Sequence, residues 1–184
     1  MVSVDQFRKL LPKICDEKTS SDPENWTLEN PLWGHCAVAS LVAQNLFGGT
    51  LLRASLENTK FTAMRSHYWN QLPGVQEDFT RDQFRDSYPE LANSATRERQ
   101  YLFSSIETLT RYKLLAWRLA GELNKGNLLF TNPIYRQCFC NALDSPCQKM
   151  KFGAVIVNQS GERNIESALE IIAKEGYNKT IEPL

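Results

Sequence analysis

Asn30-Pro31-Leu32-Trp33-Gly34-His35-Cys36-Ala37-Val38-Ala39-Ser40-Leu41-Val42-Ala43-Gln44-Asn45-Leu46-Phe47-Gly48-Gly49 is the stretch on which the fold turns. Asn30-Pro31 biases the residue before the proline toward extended backbone. From Cys36 to Phe47 apolar side chains leave little polar face, which predicts a central, buried helix, and Gly48-Gly49 closes it. Cys36 opens that helix, where unsatisfied N–H groups and the positive end of the macrodipole favour a thiolate. The chain has only two histidines. The distant one, His67 in Ser66-His67-Tyr68-Trp69-Asn70, can supply the base that a nucleophilic cysteine needs.

Working outward, Phe7, Leu10, Leu11 and Ile14 fall at helical spacing over Val4 to Ile14, with Pro12 limiting or kinking that helix. Thr19-Ser20-Ser21-Asp22-Pro23 reads as a loop. After the central helix, Thr50 to Leu56 and Ser66 to Leu72 predict strands, the second closed by Pro73-Gly74 and followed by an extended Glu77-Asp78-Phe79. Thr80-Arg81-Asp82-Gln83 fits a capping box for a short helix through Phe84. Ser94 to Leu123 predicts a helix with Ile106, Leu109, Leu115, Leu119 and Leu123 as its apolar stripe and Ser104-Ser105-Ile106-Glu107 as a second capping box. Gly126-Asn127 breaks the pattern.

Lys plus Arg and Asp plus Glu both number 21, so no net field selects nucleic acid or an anionic membrane. No apolar run approaches the roughly 20 residues needed to cross a bilayer. An odd number of cysteines, five, and a start without the basic and apolar regions of a secretory signal predict a reduced, cytoplasmic protein. Cys138, Cys140 and Cys147 match no common four-ligand zinc spacing and both histidines lie far upstream, so neither a metal nor another cofactor is expected.

The order nucleophile helix, strand, histidine strand, turn, acidic strand resembles papain-like and transglutaminase-like folds and makes the expected class α/β (α+β). Asp78, eleven residues after His67, could reach back across the hairpin. The resemblance implies that His67 accepts the Cys36 proton, Asp78 fixes the tautomer, and helix-start N–H groups stabilise an oxyanion. Asn70 is a second candidate orienter. Asn30, six residues before Cys36, stands where papain-like enzymes often place an amide that completes the oxyanion hole. Bland readings compete with these: a lone cysteine on an apolar helix is ordinarily a packing residue, His67 could be a core histidine, and Asp78 could end the hairpin. Trp33 and Trp69 read more readily as packing than as substrate platforms.

A narrower resemblance rests on Gly34-His35-Cys36-Ala37-Val38, Gly48-Gly49, His67-Tyr68-Trp69-Asn70, Asp78-Phe79-Thr80 and Gln83-Phe84. Over roughly residues 5 to 123 this spaced set is similar to the YunG-like family of uncharacterised bacterial proteins, which brings no assigned reaction. His35 stands where that pattern often has glutamine and is a further candidate neighbour of the thiol.

Farther on, Asn141 to Val157 resembles the opening of a cytidine or deoxycytidylate deaminase domain. Ile171 to Asn178 resembles its second strand, with a helix from Glu166 to Lys174 as the competing reading. The zinc ligands and glutamate of deaminase chemistry do not follow Asn178. The expected organisation is therefore a module of residues 1–126 and a partial deaminase-like segment of residues 127–184. The apolar run Phe152 to Val157 is expected to pair with Ile171 to Tyr177 and to join two chains as a homodimer. The function expected is thiol-dependent hydrolysis or acyl transfer on an unknown substrate. Its alternative is a non-catalytic regulatory or binding module associated with a nucleotide deaminase.

Overall fold

The computed structural model describes residues 2–91, 93–123 and 125, with residues 133, 137 and 138 and the strand pairs at 156–157 and 163–164. Two compact units divide the chain, Met1–Lys125 and Gly126–Leu184.

The first unit is mixed α plus β. Helix α1 (Val4–Ile14) begins where the Ser3 side chain accepts the Gln6 N–H, and it buries Phe7, Leu11 and Ile14. Pro12 falls in its last turn, where its missing N–H removes the one helical bond to the Arg8 carbonyl while the Cys15 N–H still bonds Leu11. Helix α2 (Cys36–Phe47) buries eight of its twelve residues, as its nearly unbroken apolar sequence requires. It packs on an antiparallel sheet of β1 (Thr50–Ser55), β2 (Ser66–Leu72), β3 (Val75–Glu77) and β4 (Ala95–Arg97), in the spatial order β3-β2-β1-β4. The register sets Ala54 opposite His67, and Asn70 opposite both Leu51 and Glu77. Phe7, Phe47 and Phe79 join α1, the end of α2 and the chain beyond β3, with ring centroids 5.0–5.9 Å apart.

Three sequence expectations change. The helix predicted over Ser94 to Leu123 is a strand and two helices: β4, α3 (Arg99–Phe103) and α4 (Ile106–Leu123). Ala95-Thr96-Arg97 pairs with the outer edge of β1, and that long-range pairing overrides local helical spacing. The cap of α4 is Ser105, whose Oγ accepts the Thr108 N–H at 3.1 Å while donating to Glu107 at 2.7 Å. The Thr80–Gln83 capping box does not form either; residues Arg81–Phe84 make one 3₁₀ turn without a side-chain cap, because both polar side chains are drawn to other partners.

In the second unit β5 (Ile156–Val157) pairs antiparallel with β6 (Arg163–Asn164). Residues 152–155 and 171–177, and the other positions of the deaminase-like reading, lie outside the described residues. Among the described residues no helix is long and apolar enough to cross a membrane.

Gly49 makes the turn from α2 into β1 possible. Its φ is +79°, and a Cβ there would lie 2.1 Å from the Gln71 carbonyl oxygen. Gly49→Ala should therefore cost at least about 2 kcal/mol. Urea unfolding checks this; a loss under about 0.5 kcal/mol, the range of an ordinary surface change, would contradict it.

Candidate functional site

Asp78 follows β3 directly and turns its carboxylate back to β2. Its Oδ2 accepts His67 Nε2 at 2.7 Å and the Tyr88 hydroxyl at 3.0 Å, while Oδ1 accepts the Thr80 N–H at 3.0 Å and the Thr80 hydroxyl at 3.1 Å. Burial alone would raise the Asp78 pKa; the hydrogen bonds from His67, Thr80 and Tyr88, with the charge of His67, hold it below the usual carboxylate range.

His67 is fully buried. Its ring stacks on Trp69 and meets Phe84 edge-on, with centroids 5.8 and 4.9 Å away. Burial in this aromatic shell works to lower its pKa. The hydrogen bond to Asp78 overcomes that, Cys36 adds to it through hydrogen bonding and charge, and the value stands at about 9. Cys36, His67 and Asp78 therefore form one cluster. The thiol sulfur also lies 4.0 Å from the Ser66 carbonyl oxygen.

The other predicted residues are placed differently. Asn30 donates its amide to the Gln83 carbonyl at 3.0 Å, so this donor braces the 3₁₀ turn instead of facing an oxyanion. Asn70 donates to the Ser40 carbonyl in α2 at 2.9 Å, which orients helix against sheet and not the imidazole. Trp69 lies in the sheet core with Leu52, Ala54 and Leu91, with its Nε1 donating to Gln76.

His35, adjacent to the thiol in sequence, is a fully buried structural residue. Its Nδ1 donates to the Trp33 carbonyl at 2.9 Å, which can only accept, and its Nε2 then accepts the Thr19 hydroxyl at 2.8 Å. Burial lowers its pKa to about 4, only partly offset by those carbonyl contacts, so the ring is neutral near pH 7.

Gln83 is the residue that sequence reasoning assigned to a cap. It is buried, donates to the Thr80 carbonyl at 3.0 Å, accepts the Gly34 N–H at 3.4 Å, and sets its Nε2 3.5 Å from His67 Nδ1. One amide thus links the histidine to the loop carrying the cysteine. Its place beside Phe84 in the YunG-like pattern is the sequence signal for this role.

At the start of α2 the first helical bond runs from the Ala39 N–H to the His35 carbonyl at 2.9 Å, and His35 gives no side-chain cap. Among the described residues nothing accepts the N–H groups of Cys36, Ala37 and Val38. Gly34, two residues earlier, has φ +75° and no room for a Cβ, which would stand 2.3 Å from Ser20 Oγ. Cys36 is 5% exposed. Among the described residues no group of three or more His, Cys, Asp or Glu side chains could hold a metal ion.

Fold and site define a mixed α plus β protein built around a buried cysteine–histidine–aspartate cluster. Residues 3–124 match the YunG protein family, and the chain belongs to that family. It is similar to a protein of Bacillus subtilis (strain 168) described as uncharacterized protein YunG, with 33% identity over 82 residues, 45% of this chain and 66% of the relative. No solved structure matches the chain. The family match ends before the segment read as deaminase-like, which these comparisons do not support.

The two imidazoles should titrate far apart. In ring-nitrogen NMR, His67 should pass its midpoint near pH 9 and His35 near pH 4. The stability consequences have opposite signs. The His67 pKa is raised above the unfolded value, so its contribution is complete below about pH 6.5 and disappears as pH rises through about 9. The His35 pKa is depressed, so its contribution is complete above about 6.5 and disappears as pH falls through about 4. Two midpoints both near 6.5 would contradict both assignments.

Proposed function

We propose that this chain is a thiol-dependent hydrolase or acyl transferase of papain-like or transglutaminase-like chemistry. The observation that carries the reading is that one imidazole is held by Asp78 through Nε2 while Cys36 acts on the same ring. Asp78 occupies Nε2, so Nδ1, which also faces the Gln83 amide at 3.5 Å, is the nitrogen that would serve the thiol. With its pKa near 9, His67 retains a proton at neutral pH and can balance a Cys36 thiolate.

The sulfur would attack the carbonyl carbon of an amide, ester or thioester, forming a C–S bond while the carbonyl oxygen takes the electron pair. The free N–H groups at the start of α2 are suited to that oxyanion. Collapse expels the leaving group, which takes the His67 proton. Water or an amine then attacks the acyl-enzyme, His67 accepts the incoming proton, and release returns the thiolate. Asp78 and Gln83 are positioning residues, the first for ring orientation and charge, the second for the distance between histidine and cysteine loop.

The near-complete burial of Cys36 favours a second reading, in which the cluster is a structural knot within a non-catalytic binding or regulatory module. Iodoacetamide labelling separates the two. The Cys36-containing peptide should be modified selectively at pH 7, and His67→Gln should slow it about tenfold or more. Asp78→Asn should move the remaining His67 midpoint down from about 9. Cys15, buried with its thiol pKa pushed up by burial, serves as the unreactive control. Equal labelling of wild-type and His67→Gln protein, both folded by circular dichroism, would favour the knot.

A further inference from the structure

The loop carrying Cys36 is braced by two serines. Ser20 Oγ donates to the Trp33 carbonyl at 2.8 Å and Ser21 Oγ to the Gly34 carbonyl at 2.9 Å. The same serines line a cavity of about 620 Å³, whose opposite wall is α4, with Ile106, Thr110 and Arg111. Ile106 is 66% exposed there, an apolar surface without a covering partner among the described residues.

Arg111 is the unusual member of this wall. Its Nη2 donates to Thr108 Oγ1 at 3.2 Å, its Nε is enclosed by protein without an acceptor, and no carboxylate ion-pairs with it among the described residues, so it is the outer Nη atoms that can meet a ligand in the cavity. A half-buried guanidinium with an unused donor is electrostatically incomplete, and its planar fork suits a carboxylate. Burial lowers its pKa, an effect that the Glu107 carboxylate opposes. Lys18 adds a second cation to the cavity, while Glu17 and Glu107 also line it. Ser105 already donates to Glu107. The two charges of each sign leave no net field to attract a polyanion, so a single carboxylate would be held by direct pairing with Arg111.

We propose that Arg111 binds a carboxylate of the acyl substrate in this cavity, making the substrate class a carboxylate-bearing amide or ester, such as a peptide with an acidic side chain or free C-terminus. The substrate assignment rests on the reading of Cys36 as nucleophile; the carboxylate site does not. Binding there would give the guanidinium the ion-pair partner it lacks among the described residues and place the acyl chain beside the braced loop.

Two measurements on the full chain test it. The first compares labelling of Cys36 by iodoacetate and by iodoacetamide, reagents that differ by a carboxylate. The iodoacetate-to-iodoacetamide rate ratio should fall about fivefold in Arg111→Gln and recover in part in Arg111→Lys. The second titrates glutarate into Cys36→Ser protein and follows the Arg111 Nε–H resonance by NMR, which needs no change at Arg111. A saturable shift is expected. An unchanged rate ratio, or a resonance that does not saturate, overturns the carboxylate site. If Cys36 resists both reagents, the nucleophile reading fails, and the glutarate titration still decides the site.

Discussion

The buried ion pair between His67 and Asp78 is the constraint around which the first unit is organised. Moving two charges out of water costs several kcal/mol per ion before compensation. The compensation is visible atom by atom, because both Asp78 oxygens are filled by His67, Tyr88 and the N–H and hydroxyl of Thr80. Those donors come from β2, the residue just before the 3₁₀ turn and the chain beyond that turn. Satisfying one carboxylate therefore forces these segments to converge.

The same convergence places the thiol. Gln83 leaves the 3₁₀ turn to reach the Gly34 N–H and the imidazole, and Asn30 bonds the Gln83 backbone from the cysteine side. His35, neutral and fully bonded, ties the helix start to the loop at Thr19. Arg8 contacts the segment of Glu77 and Asp78 from α1, ion-pairing with Glu77 and donating to the Asp78 carbonyl. Polar side chains thus supply directional connections where the apolar core supplies only non-directional burial.

A closed site and a reactive thiol are compatible in physical terms. Water exclusion would strengthen the pairing of a thiolate with an imidazolium and preserve the value of helix-start N–H groups that nothing among the described residues accepts. The aromatic enclosure of His67 by Trp69, Phe84 and Tyr88 would by itself favour a neutral ring, and Asp78 reverses that preference. The charge state of the histidine is thus set chiefly by one carboxylate, with Cys36 adding to it, against its apolar surroundings.

Local sequence determined the central helix, because twelve residues from Cys36 to Phe47 offer almost no polar face and glycines follow. It also determined the strand at Ser66–Leu72 and the candidacy of Cys36, His67 and Asp78, through residue type and order. Tertiary structure decided what periodicity could not. Ala95–Arg97 is a strand because β1 has a free edge to pair, and Asn30, Asn70 and Gln83 bond according to neighbours distant in sequence. Side-chain amides carry no sequence signature of their partner, since an amide bonds whatever acceptor folding brings within about 3 Å. The protonation of the two histidines was likewise undecided until folding gave one ring a buried carboxylate and the other only carbonyl and hydroxyl partners.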